Sequence, residues 1–364
     1  MLHPSPDLSP LGERRRRVPP ALRYLVLFAF VGTACGQDRI ATEQQQPDPT
    51  PAPATFTPPP QPRTATPPHG PPYPVVFVHG MAGFDALKVG GFSMDYFGNT
   101  VQDLQARGED VHRVVLSPFD SVEVRAKELQ RQVGDILFRT NAAKVNLIAH
   151  SQGGLDSRYL ISPGGLGWGD KVATLVTIST PHRGTKIANV AADADNTLPD
   201  QTTHDVLEGI AGLLSRSVYD VQADPHLREQ VKELSEGFLL GTFNPQTPND
   251  PRVRYLSWAG RSNLHTGLGV CDGATFPNEP WKVDALLPIF SGVVIGTEWG
   301  LPAQISDGLV TVESAKHGTF LGCIPADHFD EVGQIADTGT DLLSGFDHLA
   351  FYRQVVDYLH AHGH

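Results

Sequence analysis

Apolar side chains recur along this chain in two alternating rhythms. Val75–Val78 is an unbroken run of β-branched and aromatic residues ending at His79-Gly80, and it reads as a buried strand. Val111–Leu116 is a second candidate strand. Residues 121–138 then carry Val122, Ala126, Leu129, Val133, Ile136 and Leu137 at the spacing of one helix face. Val145–Ala149 is again apolar apart from Asn146, followed by Ser151-Gln152-Gly153-Gly154 and a helical stretch to Leu160. Val172–Ile178 and Val253–Trp258 read as further buried strands, and Phe346–Ala361 as a final helix. Near-continuous apolar strands alternating with helices predict a mostly parallel central sheet with helices on both faces. The fold class is therefore α/β.

Residues 188–245 interrupt the rhythm as a long insertion. It holds a helical piece, His204–Tyr219, with apolar Val206, Ile210, Leu213 and Leu214. One reading is a helix packed in an accessory layer. The other is a lid whose apolar face covers a site until an interface lifts it.

The first residues follow a different grammar. Arg14, Arg15, Arg16 and Arg17 precede an apolar run from Tyr24 to Ala34, which closes on Gly32, Thr33 and Ala34 before Cys35. That run is far short of the roughly 20 residues needed to span a bilayer, so residues 1–35 read as a signal peptide. Cys35 after small residues resembles the acylated cysteine of bacterial lipoproteins, although Gly32 stands where that motif usually has Leu. About a third of residues 36–72 are Pro, which suits a semi-rigid extended spacer. The catalytic domain is expected over 73–364, in an exported protein that is extracellular or membrane-anchored.

Charge narrows the partners. A formal net charge of −12 argues against nucleic acid, whose phosphates require a cationic face. Gly164-Gly165-Leu166-Gly167 lacks the strand and spacing of a dinucleotide loop. Cys271 and Cys323 form an even pair that export would oxidise to a disulfide, the alternative being two separate buried thiols.

The chemistry centres on Ala149-His150-Ser151-Gln152-Gly153-Gly154. A serine directly after an apolar strand, with small residues two before and two after, marks the sharp strand-to-helix turn that exposes a nucleophile. Ala149 stands where the usual motif has Gly. Acyl transfer also needs donors for an oxyanion. The backbone N–H of Gln152 and of Met81, on the loop after Val75–Val78, are the candidates. Downstream, Asp307 lies in Ser306-Asp307-Gly308 and His328 in Asp327-His328-Phe329-Asp330, in the order acid then base. His317 is a rival base, Asp284 and Asp327 are rival acids, and His150 is expected to line the site.

With these motifs in hand, residues 73–364 resemble the calcium-containing bacterial true lipases (triacylglycerol lipases, family I) of the α/β-hydrolase superfamily. The similarity rests on Tyr73–Phe84, Val145–Gly154, Pro181–Thr185, Tyr255–Gly260, Asp307–Val310 and His328–Gln334, in the family's order. The resemblance implies Ser151, Asp307 and His328 as a triad, with Met81 and Gln152 as oxyanion donors. It also implies a structural Ca2+ held by Asp330, Gln334 and Asp284, with the carbonyl of Thr338. Oxygen ligands of this kind suit a hard cation. Cys271 stands where the family has one half of its disulfide; Cys323 does not match the other half. Members of the family often use a dedicated folding chaperone, which becomes a candidate partner beside a lipid or ester at an oil–water interface. The expected activity is ester hydrolysis, triacylglycerols first. A soluble-ester carboxylesterase, an extracellular polyester depolymerase and a catalytically dead lipid-binding surface protein are the alternatives.

Overall fold

A computed structural model describes residues 67–81, 83, 86–89, 92–192, 225–261, 305–333 and 346–364. Six strands form its main sheet: β1 (Val75–Val78), β4 (Val111–Arg113), β5 (Val145–His150), β6 (Val172–Ile178), β7 (Arg254–Gly260) and β8 (Thr319–Ile324). Their order is β4-β1-β5-β6-β7-β8, and every neighbouring pair is parallel. Strands β1, β5 and β6 are buried along their whole length, as parallel strands covered on both faces must be. A separate antiparallel hairpin joins β2 (Ala86–Val89) to β3 (Phe92–Asp95).

The pleat sorts alternate side chains to the two faces. Val75 and Phe77 point with Ile148, Val176 and Ile178 toward α1 (Thr100–Ala106) and the last helix, α6 (His348–Ala361). Val76 and Val78 point the other way, with Leu147, Ala149 and Leu175, against α2 (Val122–Thr140) and α3 (Gly153–Ile161). On α2 the inward residues are Leu129, Val133 and Ile136, three of those that marked the helix in the sequence. Ser121 caps its first turn by accepting from Val124 N, and Asn141 ends it in the left-handed region at φ +54°. The last helix begins at His348, two residues later than the apolar pattern suggests, because Asp347 caps it by accepting from Ala350 N.

The strand expected over 111–116 ends at Arg113. Side chains of α2 take over from the sheet there. Gln132 holds both the N–H and the carbonyl of Val115, and Glu128 accepts from Ser117 N. The flanks of the long insertion are α4 (Lys186–Ala192) and α5 (Pro225–Glu233), followed by a helical run whose middle, Leu239–Phe243, is π-helical. Ile187, Ala188, Val231, Leu234, Leu239 and Phe243 pack with Phe119, Val122 and Leu155, so both flanks are tied to the body of the fold. The helical piece at 204–219 lies outside the described residues.

Candidate active site

The carboxyl edge of the sheet collects the site. Strand β5 ends at His150, Ser151 adopts φ +54°, and α3 begins at Gly153. So abrupt a turn demands small neighbours. A Cβ on Gly153 would sit 2.6 Å from the carbonyl oxygens of both Val78 and His79. A Cβ on Gly80 would sit 2.7 Å from Ser151 Cβ and 2.8 Å from the Tyr96 hydroxyl. The loop after β1 therefore presses directly on Ser151.

His328 reaches this serine from far along the chain. Its Nε2 lies 2.9 Å from Ser151 Oγ, and its Nδ1 lies 2.7 Å from Asp307 Oδ2. Asp307 is fully buried, and its other oxygen accepts from Leu309 N and Val310 N at 2.8 and 2.7 Å. His328 N also donates to the Asp307 carbonyl, tying the two loops together. A nucleophile, a base within hydrogen-bond reach and an acid holding the base's far nitrogen are the parts acyl transfer needs. The rivals fall elsewhere. His317 stacks on His182 with ring centroids 4.4 Å apart and bonds Asn249, and Asp327 caps Phe329 N and Asp330 N.

Met81 is half-buried on the loop after β1, and Gln152 is the buried N-cap of α3. The Gln152 side chain accepts from Gln230 Nε2 at 2.7 Å, which joins the nucleophile turn to α5. Asp330 is buried two residues beyond His328. Asp284, Gln334, Thr338, Cys271 and Cys35 lie outside the described residues. Cys323 is disulfide-bonded.

Buried Tyr96, Ser179 and Glu331, which the sequence did not single out, surround these groups together with His150, which lines the site as expected. His150 bonds the Tyr96 hydroxyl through Nδ1 at 2.8 Å and Glu331 through Nε2 at 3.1 Å. Glu331 accepts from Ser179 Oγ at 2.6 Å, and Ser179 in turn accepts from Gly260 N. Burial pushes the Glu331 carboxyl well above the usual carboxylate range, with Asp307 adding repulsion. Burial likewise pushes His150 well below an ordinary imidazole, helped by His328. Both shifts favour the uncharged forms. Gly260 must lack a side chain here, since a Cβ would lie 1.8 Å from Glu331 Oε1.

His79 is buried and bonded at both nitrogens, to the Gly80 carbonyl and to Leu116 N. Because Nε2 accepts from Leu116 N–H, Nδ1 carries the proton and donates to Gly80 O. Burial and then Arg125 lower its pKa to about 3. Arg125 is wholly buried and pairs through Nε with Asp156 Oδ2 at 2.8 Å. Burial pushes the Asp156 carboxyl up to about 7 despite that partner.

The comparisons bear on this geometry. A family model for palmitoyl protein thioesterase matches residues 74–226. The triacylglycerol lipase of Pseudarthrobacter phenanthrenivorans is 37% identical over 160 residues, 42% of this chain and 47% of that protein. That of Vibrio cholerae serotype O1 is 29% identical over 304 residues, covering 78% of this chain and 86% of that protein. The chain thus spans less than half the length of the first curated relatives it matches. Among solved structures, the mature form of a Bacillus licheniformis lipase aligns with a TM-score of 0.52 at 21% identity, over 80% of this chain and 94% of that one. The fold is that of the α/β-hydrolases. In that fold Ser151 stands at the turn between the end of β5 and the start of α3.

Proposed function

We propose that this α/β-hydrolase-fold chain cleaves water-insoluble carboxylic esters, triacylglycerols first, by two-step acyl transfer. The observation that carries the reading is the pair of contacts at His328, 2.9 Å to Ser151 Oγ and 2.7 Å to Asp307 Oδ2. His328 Nε2 takes the Ser151 proton as Oγ bonds to the carbonyl carbon. The carbonyl electrons move onto oxygen, which the N–H groups of Met81 and Gln152 receive. The ester C–O bond then breaks, and the alcohol leaves with the proton from His328. Water repeats the sequence on the acyl-enzyme and frees the acid. Met81, Phe238, Leu309 and Phe329 border the apolar cluster beside the serine and suit an aliphatic acyl chain.

A calcium ion on the loop that carries His328 belongs to the same reading, with Asp330 as the described member of its ligand set. So do export through residues 1–35, anchoring through Cys35 and help from a folding chaperone. The test is hydrolysis of emulsified triolein and tributyrin with and without a chelator. The reading expects cleavage of at least one, and loss on chelation. Cleavage that survives chelation removes the calcium and leaves the triad. A smooth saturation curve, with no jump as substrate passes from monomer to emulsion, favours a carboxylesterase or polyester depolymerase. Cleavage of neither ester leaves a lipid-binding protein.

A further inference from the structure

Arg125 and Asp156 make no contact with the reacting groups, yet both are fully buried beside them. Such a pair is seldom retained for stability, since well-packed apolar residues of similar size do as well. Here the pair is also incompletely satisfied. Asp156 Oδ1 has no hydrogen-bond partner among the described residues. What the guanidinium does with its remaining donors is more informative. Nη2 donates to the carbonyl oxygens of His79 and Gly80 at 2.9 and 3.1 Å, and Nη1 donates to the carbonyl of Ser117. The Gly80 carbonyl receives a second bond from its neighbour's imidazole, His79 Nδ1, at 2.8 Å.

A trans peptide is planar, so its N–H points opposite to its carbonyl. Drawing the Gly80 carbonyl toward Arg125 therefore turns the Met81 N–H away from Arg125. Gly80 N is held independently by the Tyr96 hydroxyl at 3.1 Å, so the glycine is gripped on both sides. Glycine has the widest backbone freedom of any residue, and an ungripped Gly80–Met81 peptide could rotate.

We propose that Arg125, anchored by Asp156, is a positioning residue that aims the Met81 N–H at the oxyanion. The proposal rests on the ester-hydrolase reading and adds a structural requirement to it. Asp156 sits on α3, directly behind the nucleophile turn, and Arg125 sits on α2. One buried ion pair thus ties the serine's own helix to the loop that supplies the second oxyanion donor.

The experiment compares Arg125→Met, Arg125→Lys and Asp156→Asn with the parent, and with Arg139→Met as an exposed control on the same helix. Two rates are read: phosphonylation of Ser151 by a p-nitrophenyl alkylphosphonate, followed by mass, and turnover of p-nitrophenyl butyrate. Loss of one oxyanion donor costs about 10²–10³-fold, and a mis-aimed donor is expected to cost about 30-fold. Arg125→Met should slow both phosphonylation and kcat to that extent, with KM within about threefold of the parent. Arg125→Lys should fall between Arg125→Met and the parent, and Asp156→Asn should lose severalfold. If Arg125→Met does not fold, the other two decide. Folded Arg125 variants that label and turn over within about twofold of the parent overturn the proposal, as does a loss confined to KM. If the parent labels at Ser151 but cleaves no ester, the hydrolase reading fails while the labelling rates still decide the role of Arg125.

Discussion

Two imidazole–carboxylate pairs stand side by side in this molecule, their rings 4.5 Å apart, and the same side-chain types are put to opposite uses. In the pair of His328 and Asp307, two backbone N–H groups and the imidazole converge on the carboxylate. The free imidazole nitrogen faces Ser151. In the pair of His150 and Glu331, the carboxyl meets one hydroxyl and the imidazole, and among the described residues no backbone donor. Burial raises Glu331 and lowers His150, which favours the uncharged form of each. Backbone donors, more than the identity of the side chains, separate a pair built to carry charge from one built to hold geometry.

The comparison breaks first at Asp307. Asp307→Asn keeps the shape but offers His328 the wrong partner, and kcat on a soluble ester should fall about 10⁴-fold, the size seen when a triad acid is changed this way. A loss no larger than that of Glu331→Gln would erase the distinction between the pairs. Next comes Glu331→Leu, which leaves buried His150 and Ser179 without their partner. Chemical denaturation should show a loss of about 1–3 kcal/mol in stability, with the fold retained.

Titration separates the pairs more finely. His79, His150, His182 and His317 all have folded pKa values below the ordinary 6.5, with burial the first cause in each. A lowered imidazole contributes stability above pH 6.5 that is lost on acidification, because the unfolded chain takes up the proton first. The raised carboxyls of Asp156, Glu233 and Glu331 act in the opposite sense, contributing at low pH and losing it as pH rises. Four histidines outweigh three carboxyls, so the urea midpoint should fall between pH 7.5 and pH 4.5. Glu331→Gln removes one opposing group and should steepen that fall by raising the midpoint at pH 7.5. An unchanged midpoint there would contradict a raised Glu331 carboxyl. The smallest expected effect is on turnover: Glu331→Gln mimics a neutral acid and should leave kcat within about threefold.

Much of this frame was legible in the amino-acid sequence because it is local. The run at Val75–Val78 is unbroken, and those at Val145–Ala149 and Val172–Ile178 are interrupted only by Asn146, Thr174 and Thr177, as suits strands buried on both faces. Ser151, Asp307 and His328 stand in short motifs in a fixed chain order, and the structure brings them together. The hairpin of β2 and β3 went unread, although Gly90-Gly91 between two short runs is a turn signal. Strand β8 was obscured because only its second half is buried. Arg125, Tyr96 and Glu331 were invisible for a different reason. Each acts on a residue dozens of positions away, and nothing local marks an arginine destined for full burial. Glu331 lies only three residues after His328, but its partners His150 and Ser179 come from two other strand ends.

The most direct measurement is to treat the chain with a serine-directed phosphonate, map the adduct by peptide mass, and follow ester hydrolysis in the same samples. The account expects one adduct per chain, on Ser151, with activity vanishing in step with labelling. Labelling at another residue, or hydrolysis that persists once Ser151 is fully modified, would contradict it.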